Sequence, residues 1–422
     1  MKLDTLEMKA IDFIKTNKLT IPVYRKLKSL QKSRSFHVSS INTFEPIIER
    51  GEDVRFNIVI PTLRKTRVFA GISSALSFFS KLAGETDRCR IIVISNEEHN
   101  KETTYEIEGY SDDPNAPKTL FFASNGKVIP VSRNDVFVFT SWKTAIAFIP
   151  VLKWQMETFG LKNRKAAYLI QDFEPGFFAW STEYVLADST YLEMPESIIA
   201  IFNSKQLYDF FKLHNYSFAY EAFFTPSLNI ELKKRLLENA EKNAKRKKQI
   251  LIYGRPSELR NAFEIIRYSL EKWSRSYQKA KDWEIISLGE GFEDIELPNN
   301  KIVSKGKVSL DEYAEYMLNA YAGISLMVSP HPSYPPLEMS TFGVRTINNQ
   351  FENKDLSSFN DNIISIKSCS PDLIVSELTR ICDEYDTFDN KMSLNKAYLE
   401  DSDMEKTAGN VRSYINEMLT NE

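Results

Sequence analysis

Two stretches decide the fold: the run Tyr321-Ala322-Gly323-Ile324-Ser325-Leu326-Met327-Val328, and just beyond it Ser333-Tyr334-Pro335-Pro336-Leu337-Glu338-Met339-Ser340-Thr341-Phe342-Gly343. A short apolar run bounded by prolines predicts a central parallel strand over 321–328, covered on both faces. The loop after it then lies at the carboxyl edge of an open α/β sheet. Ligands bind at such edges, and the next helix offers unpaired N–H groups and a positive dipole end to an anion. Pro335 and Pro336 carry no N–H, which narrows the backbone donors to Ser333, Tyr334 and Leu337. Glu338 falls in the first helical turn. Two readings of it stand: a carboxylate that accepts two hydroxyl hydrogen bonds from a ribose, and a glutamate that complements the helix dipole.

The pattern repeats upstream. Phe56-Asn57-Ile58-Val59-Ile60-Pro61 reads as a strand, 71–82 as a helix and Cys89-Arg90-Ile91-Ile92-Val93-Ile94 as a second strand. Further strands are expected at 136–140, 166–171 and 198–202. A charged helix over 230–248 leads to Gln249-Ile250-Leu251-Ile252-Tyr253, after which helix 257–276, strands 283–288 and 301–304 and helix 309–320 follow. Such alternation predicts an α/β protein of two Rossmann-like domains facing each other across a cleft, the default ligand site. The expected boundaries are a helical lead over 1–50, a first domain over 51–226, a second over 227–395, and a terminal helix over 396–422 that crosses back to the first.

At 422 residues and 42% hydrophobic content the chain is long enough for two cores. A net charge of -3 argues against a nucleic-acid-binding protein. No apolar run is long enough to cross a bilayer and no signal peptide is seen, so a cytoplasmic protein is expected. The basic stretch from Arg25 to Arg34 is a candidate for peripheral contact with the inner face of a membrane, against the blander reading of a solvated helix face. Cys89, Cys369 and Cys382 are far apart and without metal-ligand spacing; they read as reduced thiols, and no metal site is expected.

Chemistry gathers at strand ends. Gly254-Arg255-Pro256-Ser257-Glu258-Leu259-Arg260 sets two guanidinium groups at the edge of the second domain's first strand, a fork suited to a diphosphate whose negative charge must be neutralised as it leaves. In the first domain, Gln171, Asp172 and Glu174 follow a buried strand. Asp172 is the first candidate for removing a proton from an acceptor hydroxyl, or for contacting the acceptor, and Glu174 the second; the competing reading is a loop tied down by carboxylates. Gly71 lets backbone approach a phosphate. Trp142 is a candidate surface for an acceptor sugar ring.

The order Gly254-Arg255 with Arg260, a strand ending in Gly306, Pro335-Pro336-Leu337-Glu338 and Phe342-Gly343-Val344 resembles the retaining GT-B glycosyltransferases of family 4. That resemblance implies that Arg255 and Arg260 grip the diphosphate, Glu338 the ribose, and Lys305, Gly306 and Lys307 the base. It departs at Pro330, where the family usually carries another glutamate against the donor sugar; His331 and Ser329 are the candidates to replace it.

In the first half, Leu169-Ile170-Gln171-Asp172-Phe173-Glu174-Pro175-Gly176-Phe177-Phe178, Thr140-Ser141-Trp142-Lys143-Thr144-Ala145, Phe69-Ala70-Gly71-Ile72 and Phe202-Asn203-Ser204-Lys205 are similar to the bacterial surface-glycan rhamnosyltransferases of the S-layer WsaF type. The resemblance spans most of 55–345. It implies transfer of L-rhamnose, with retention, from dTDP-β-L-rhamnose to a growing S-layer or rhamnan-type glycan or a lipid-linked oligosaccharide. No metal or other cofactor is implied. The alternatives are a GT-B transferase or epimerase using another nucleotide sugar, and a two-domain sugar-nucleotide binding protein without catalysis.

Overall fold

A computed structural model describes residues 41–64, 70–84, 88–95, 104–124, 126–240, 245–387, 391–400 and 403–422. The chain divides into a unit over Met1–Asn42 and a second over Thr43–Glu422, and the second holds both large sheets. The basic stretch from Arg25 to Arg34 and most of the expected helical lead lie outside the described residues. The end of that lead is not helical, since β1 (Glu45–Ile48) is extended and pairs in parallel with β5 (Val128–Val131).

The first lobe is built on a parallel sheet of β4 (Lys118–Phe122), β3 (Arg88–Val93), β2 (Arg55–Ile60), β6 (Asp135–Phe139), β7 (Ala166–Ile170), β8 (Ile198–Phe202) and β9 (Tyr220–Phe223), in that spatial order. The chain starts in the middle at β2, winds out to β4, then returns and winds the other way from β6. Side chains alternate between the two faces. Phe56, Ile58 and Ile60 join one core with Phe78, Phe79 and Leu82 of α1 (Ala70–Ala83), while Val59 joins the other with Phe148 and Leu152 of α2 (Trp142–Phe159). Two more helices, α3 (Thr182–Leu192) and α4 (Lys205–Leu213), complete the second face. At the amino edge of the sheet Asp135 is fully buried; burial alone would lift its carboxyl, but Arg55 and Arg90 beside it hold it below the usual range. This charged knot braces the edge opposite the cleft.

The second lobe repeats the winding: β12 (Ile295–Glu296), β13 (Lys301–Gly306), β11 (Glu284–Gly289), β10 (Lys247–Gly254), β14 (Ala320–Ile324), β15 (Arg345–Asn349) and β16 (Ile363–Ile366), parallel except for β12. Around it lie α5 (Ile230–Asn239), α6 (Phe263–Ser276), α7 (Leu310–Asn319), α8 (Tyr334–Thr341), α9 (Pro371–Asp383) and the short α10 (Lys396–Leu399). Gly323 lets α8 close onto β14: a Cβ there would strike the Met339 methyl and lie 2.9 Å from Val344 Cγ1. The last helix, α11 (Met404–Thr420), packs on the first lobe, where Ala408, Val411, Ile415 and Met418 enter the α1 core and Arg412 donates to the carbonyls of Leu82 and Ala83.

Several elements differ from the sequence expectation. The strand expected over 321–328 stops at Ile324, because side chains take over the backbone pairing: Asn349 accepts from Met327 N at 2.7 Å, and Lys354 Nζ donates to Met327 O at 2.6 Å. The helix expected from 257 begins at Phe263. Its place is taken by a loop wound around the buried Asn261, which accepts from Arg255 N at 2.7 Å and donates to Tyr253 O at 3.0 Å. The helix expected to run to Lys248 ends at Asn239, and Lys247 and Lys248 already belong to β10.

Candidate active site

In each sheet the winding reverses between two central strands, β2/β6 in the first lobe and β10/β14 in the second. Loops leaving the carboxyl ends of such a pair diverge, and the crevice between them is where an α/β sheet takes a ligand. Contacts between the lobes form from these loops.

Glu338 lies on α8, directly behind the β14 loop. One of its oxygens accepts from the Tyr313 hydroxyl at 3.0 Å; the other makes no hydrogen bond among the described residues. The residue is half-buried, and burial among Tyr253, Tyr313, Tyr334 and Tyr398 pushes the carboxyl up to about 7, with the Tyr313 hydrogen bond opposing. Tyr253, near the end of β10, places Glu338 relative to the arginines. Its hydroxyl is raised by burial, then lowered by Arg255 and raised by Glu338, so all three groups share one neighbourhood.

The two arginines part company. Arg255 stays near its own loop, with Glu258 3.9 Å away, and about a third of its side chain remains exposed. Arg260 instead reaches the first lobe, where Nη1 meets Asp172 Oδ2 at 2.6 Å and the guanidinium lies 3.6 Å over the Phe177 ring. Both sit in the loop ordered by Asn261. They do not form a side-by-side fork.

Asp172 is fully engaged. Oδ2 takes Arg260, while Oδ1 accepts from Phe173 N at 2.8 Å and from the Ser329 hydroxyl of the second lobe. Glu174 caps a helix, its Oε2 accepting from Trp142 N at 2.5 Å and from the Tyr168 hydroxyl at 3.4 Å. That N–H is one of the orphan donors of the first turn of α2. Burial pushes the carboxyl up to about 8 and outweighs the opposing backbone hydrogen bond.

Trp142 is buried, at 3% exposure, with its ring edge-on to Phe178, so it offers no open face to a sugar ring. Gly71 and Gln171 come together, since a Cβ at Gly71 would sit 3.5 Å from Gln171 Oε1. Ser333 is buried with φ 67, and its N–H is spent on His331 Nδ1 at 3.0 Å. That removes it from the expected set of free backbone donors. Tyr334 begins α8, its hydroxyl pushed up to about 12 by burial and by Glu338. Gly306 ends β13 with φ 63, packed against Gly291, and flanking Lys305 and Lys307 are exposed.

Sequence reasoning missed Lys354. It is 1% exposed, beside Met327 O and within the field of Asp172, and burial pushes its ammonium down to about 8. It sits in a turn closed by the Phe351/Lys354 bridge, and no motif marks it. Phe177, the seat of Arg260, was legible only as an aromatic near the cleft. A separate hollow lined by Lys247, Gln249, Glu312, Glu315, Tyr316 and Asn319 lies at the opposite, amino edge of the second sheet, away from all these groups.

Known proteins share this architecture. The models for the N-terminal and C-terminal domains of WsaF match residues 55–205 and 248–379. Over 184 residues the chain is 28% identical to the O-antigen biosynthesis protein RfbC of Myxococcus xanthus, a match covering 43% of this chain and 14% of that much longer protein. Among solved structures, sucrose-phosphate synthase from Thermosynechococcus elongatus superposes with a TM-score of 0.58 at 9% identity, covering 87% of this chain and 100% of that one. Anabaena HepE in complex with UDP and glucose gives 0.53 at 10%, with 87% and 98% covered. At these identities the structural likeness establishes the fold.

Proposed function

Because the chain belongs to the WsaF family of GT-B glycosyltransferases, matched in both halves and in order, we propose that it transfers L-rhamnose, with retention, from dTDP-β-L-rhamnose to a growing cell-surface glycan. The observation that carries the donor site is the shared neighbourhood of Arg255, Glu338 and Tyr253 at the reversal point of the second sheet. In this reading Glu338 receives the ribose hydroxyls and Arg255 the diphosphate. The bond from the anomeric carbon to the diphosphate oxygen breaks as the bond to the acceptor oxygen forms, and Arg255 offsets the charge that builds on the leaving group.

The acceptor proton has two destinations, Asp172 and the departing diphosphate. Asp172 is occupied while Arg260 holds it. A bound diphosphate competes for Arg260, and that exchange frees an oxygen of Asp172 next to where the acceptor hydroxyl would sit. The acceptor would be a glycan or lipid-linked oligosaccharide; the O-antigen relative supports a surface-glycan role. No metal enters this scheme, since arginine and a helix terminus supply the positive charge. Among the described residues no helix is long and apolar enough to cross a membrane. The proposed place of work is the cytoplasm, with peripheral contact at the inner face of the membrane.

A panel of dTDP-L-rhamnose, UDP-glucose and GDP-mannose, each assayed for hydrolysis and for transfer, tests the donor. Turnover confined to dTDP-L-rhamnose is expected. Turnover with UDP-glucose instead would move the chain to a different donor class, and binding without turnover to any donor would favour a non-catalytic role.

A further inference from the structure

The loop from Phe173 to Trp180, between β7 and α3, carries four aromatic rings, and the fold uses three of them. Phe173 packs against the core, Phe177 lies beneath Arg260, and Phe178 meets Trp142 edge-on. Trp180 stands out in solvent, 91% exposed, on a backbone with φ 36 that a bulky side chain rarely adopts. Strain of this kind persists where the surroundings enforce it, and it gathers at ligand clamps.

A structural duty for the ring finds little support. Trp180 precedes Ser181, the N-cap of α3, where an apolar residue commonly staples to the fourth helical residue. That residue is Val185, itself 65% exposed, so the staple buries almost nothing. The indole instead stacks on Tyr184, with centroids 5.4 Å apart and planes at 29°. One face is thus backed and the other is left open.

Position ties the open face to the acceptor. Phe177, at the gap between the lobes, is three residues away, a reach of at most about 11 Å, and Gln171 and Asp172 lead into the same loop. From there α3 runs back to the amino edge of the sheet, since β8 after it is parallel to β7. Val185 and Leu192, two turns apart on one face, are both exposed. An apolar strip about 16 Å long therefore starts near the mouth of the crevice and leads away from it. Apolar side chains exposed singly are ordinary, but a row that ends in a strained, backed tryptophan is suited to contact. Helix α3 carries Glu183 and Asp188 and no lysine or arginine, which disfavours an anionic lipid surface as the occupant. A sugar ring presents a face of C–H bonds to an aromatic ring, and a 6-deoxyhexose adds a methyl group where other hexoses carry a hydroxyl.

We propose that Trp180, backed by Tyr184, stacks on a sugar ring of the acceptor chain behind the residue that accepts, so that the protein reads an oligosaccharide of deoxysugars rather than its last residue alone. This rests on the surface-glycan transferase reading given above.

The test compares acceptor lengths. Wild type, Trp180→Ala and Trp180→Phe are assayed with dTDP-L-rhamnose against a rhamnose monosaccharide glycoside and a rhamnose tetrasaccharide. Calorimetry measures tetrasaccharide binding in the presence of dTDP, and thermal melts check folding. Wild type should prefer the tetrasaccharide. Trp180→Ala should weaken its binding and raise its KM roughly tenfold, narrowing the preference, and Trp180→Phe should recover part of the loss. An unchanged preference, or an equal loss for both acceptors, overturns the proposal. So does a Trp180→Ala variant that keeps its tetrasaccharide affinity but no longer sediments with phosphatidylglycerol vesicles, which would make the strip a lipid contact. Tetrasaccharide binding that depends on Trp180 in a protein that turns over only another nucleotide sugar would instead overturn the donor reading and leave this subsite standing.

Discussion

The carboxyl edges of the two sheets are built on the same winding and are used in opposite ways. In the first lobe most of the polar groups at this edge are paired within the lobe: Glu174 caps α2, Thr140 Oγ1 donates to Val59 O at 2.7 Å, and Thr144 Oγ1 accepts from the backbone N of Thr140 and Ser141, while Ser141 Oγ and Asn203 Oδ1 are buried without a partner among the described residues. In the second lobe, among the described residues, Glu338 has a free oxygen, His331 an unpaired nitrogen and Arg255 an exposed guanidinium, all around one loop junction. Desolvated groups left without partners cost stability, and at the second lobe's loop junction the half-paired Glu338 carboxylate is one that a ligand can satisfy. Across the gap the first lobe holds the second through Asp172, which meets Arg260 and Ser329, through the Phe177 ring beneath Arg260, and through Gln206 O, which accepts from Asn353 Nδ2 at 2.8 Å.

Damage to the second lobe should show in donor binding and leaving-group stabilisation, and damage to Asp172 in transfer alone. Arg255→Ala is expected to reduce kcat by about 2 to 4 kcal/mol of lost leaving-group stabilisation; near-normal turnover would take Arg255 out of the site. Asp172→Asn should slow transfer by roughly a hundredfold while leaving dTDP affinity intact, as a proton acceptor would. Full activity in that variant would make Asp172 a tether only. Glu338→Ala should weaken dTDP by roughly tenfold or more, on the scale of hydrogen bonds to a charged group. Because the Glu338 carboxyl titrates at about 7, dTDP affinity should also fall as pH drops through that value, and Glu338→Gln should flatten the dependence; parallel profiles would count against a ribose contact.

The smallest effect sharpens the first-lobe side. Glu174 titrates at about 8 in the folded chain against an ordinary 4.5, so the folded state keeps a proton that the unfolded state releases. Its contribution to stability is therefore present at low pH and lost as pH rises between those values. Glu174→Gln, neutral at every pH, should flatten the fall of the urea midpoint from about pH 5 to 8, with donor binding unchanged. An unflattened curve, or lost dTDP binding, would put Glu174 back among functional groups.

Much of this was legible in the sequence because central strands of a parallel sheet are continuous apolar runs; β2, β7, β8 and β10 announce themselves that way. The strand β15 does not. It reads Arg345-Thr346-Ile347-Asn348-Asn349, and its polar side chains are buried on hydrogen bonds and ion pairs such as Arg345 with Glu384, which no periodicity reveals. At the site, the loop before Glu338 and the helix that carries it were legible because proline and glycine punctuate a strand-to-helix junction. The different partners of Asp172 and Glu174 were not, since a cap that joins residues 32 positions apart exists only in three dimensions. Lys354 was invisible for a similar reason: a lysine in a turn is ordinarily solvated, and only the packing of the β14 loop around it reveals its burial.

The most direct measurement is a crystal structure of the full chain with dTDP-L-rhamnose bound. The account predicts ribose hydroxyls within hydrogen-bond distance of Glu338 and the diphosphate against Arg255. A nucleotide seated instead in the first lobe, or in the hollow at the amino edge of the second sheet, with Glu338 and Arg255 untouched, would contradict it.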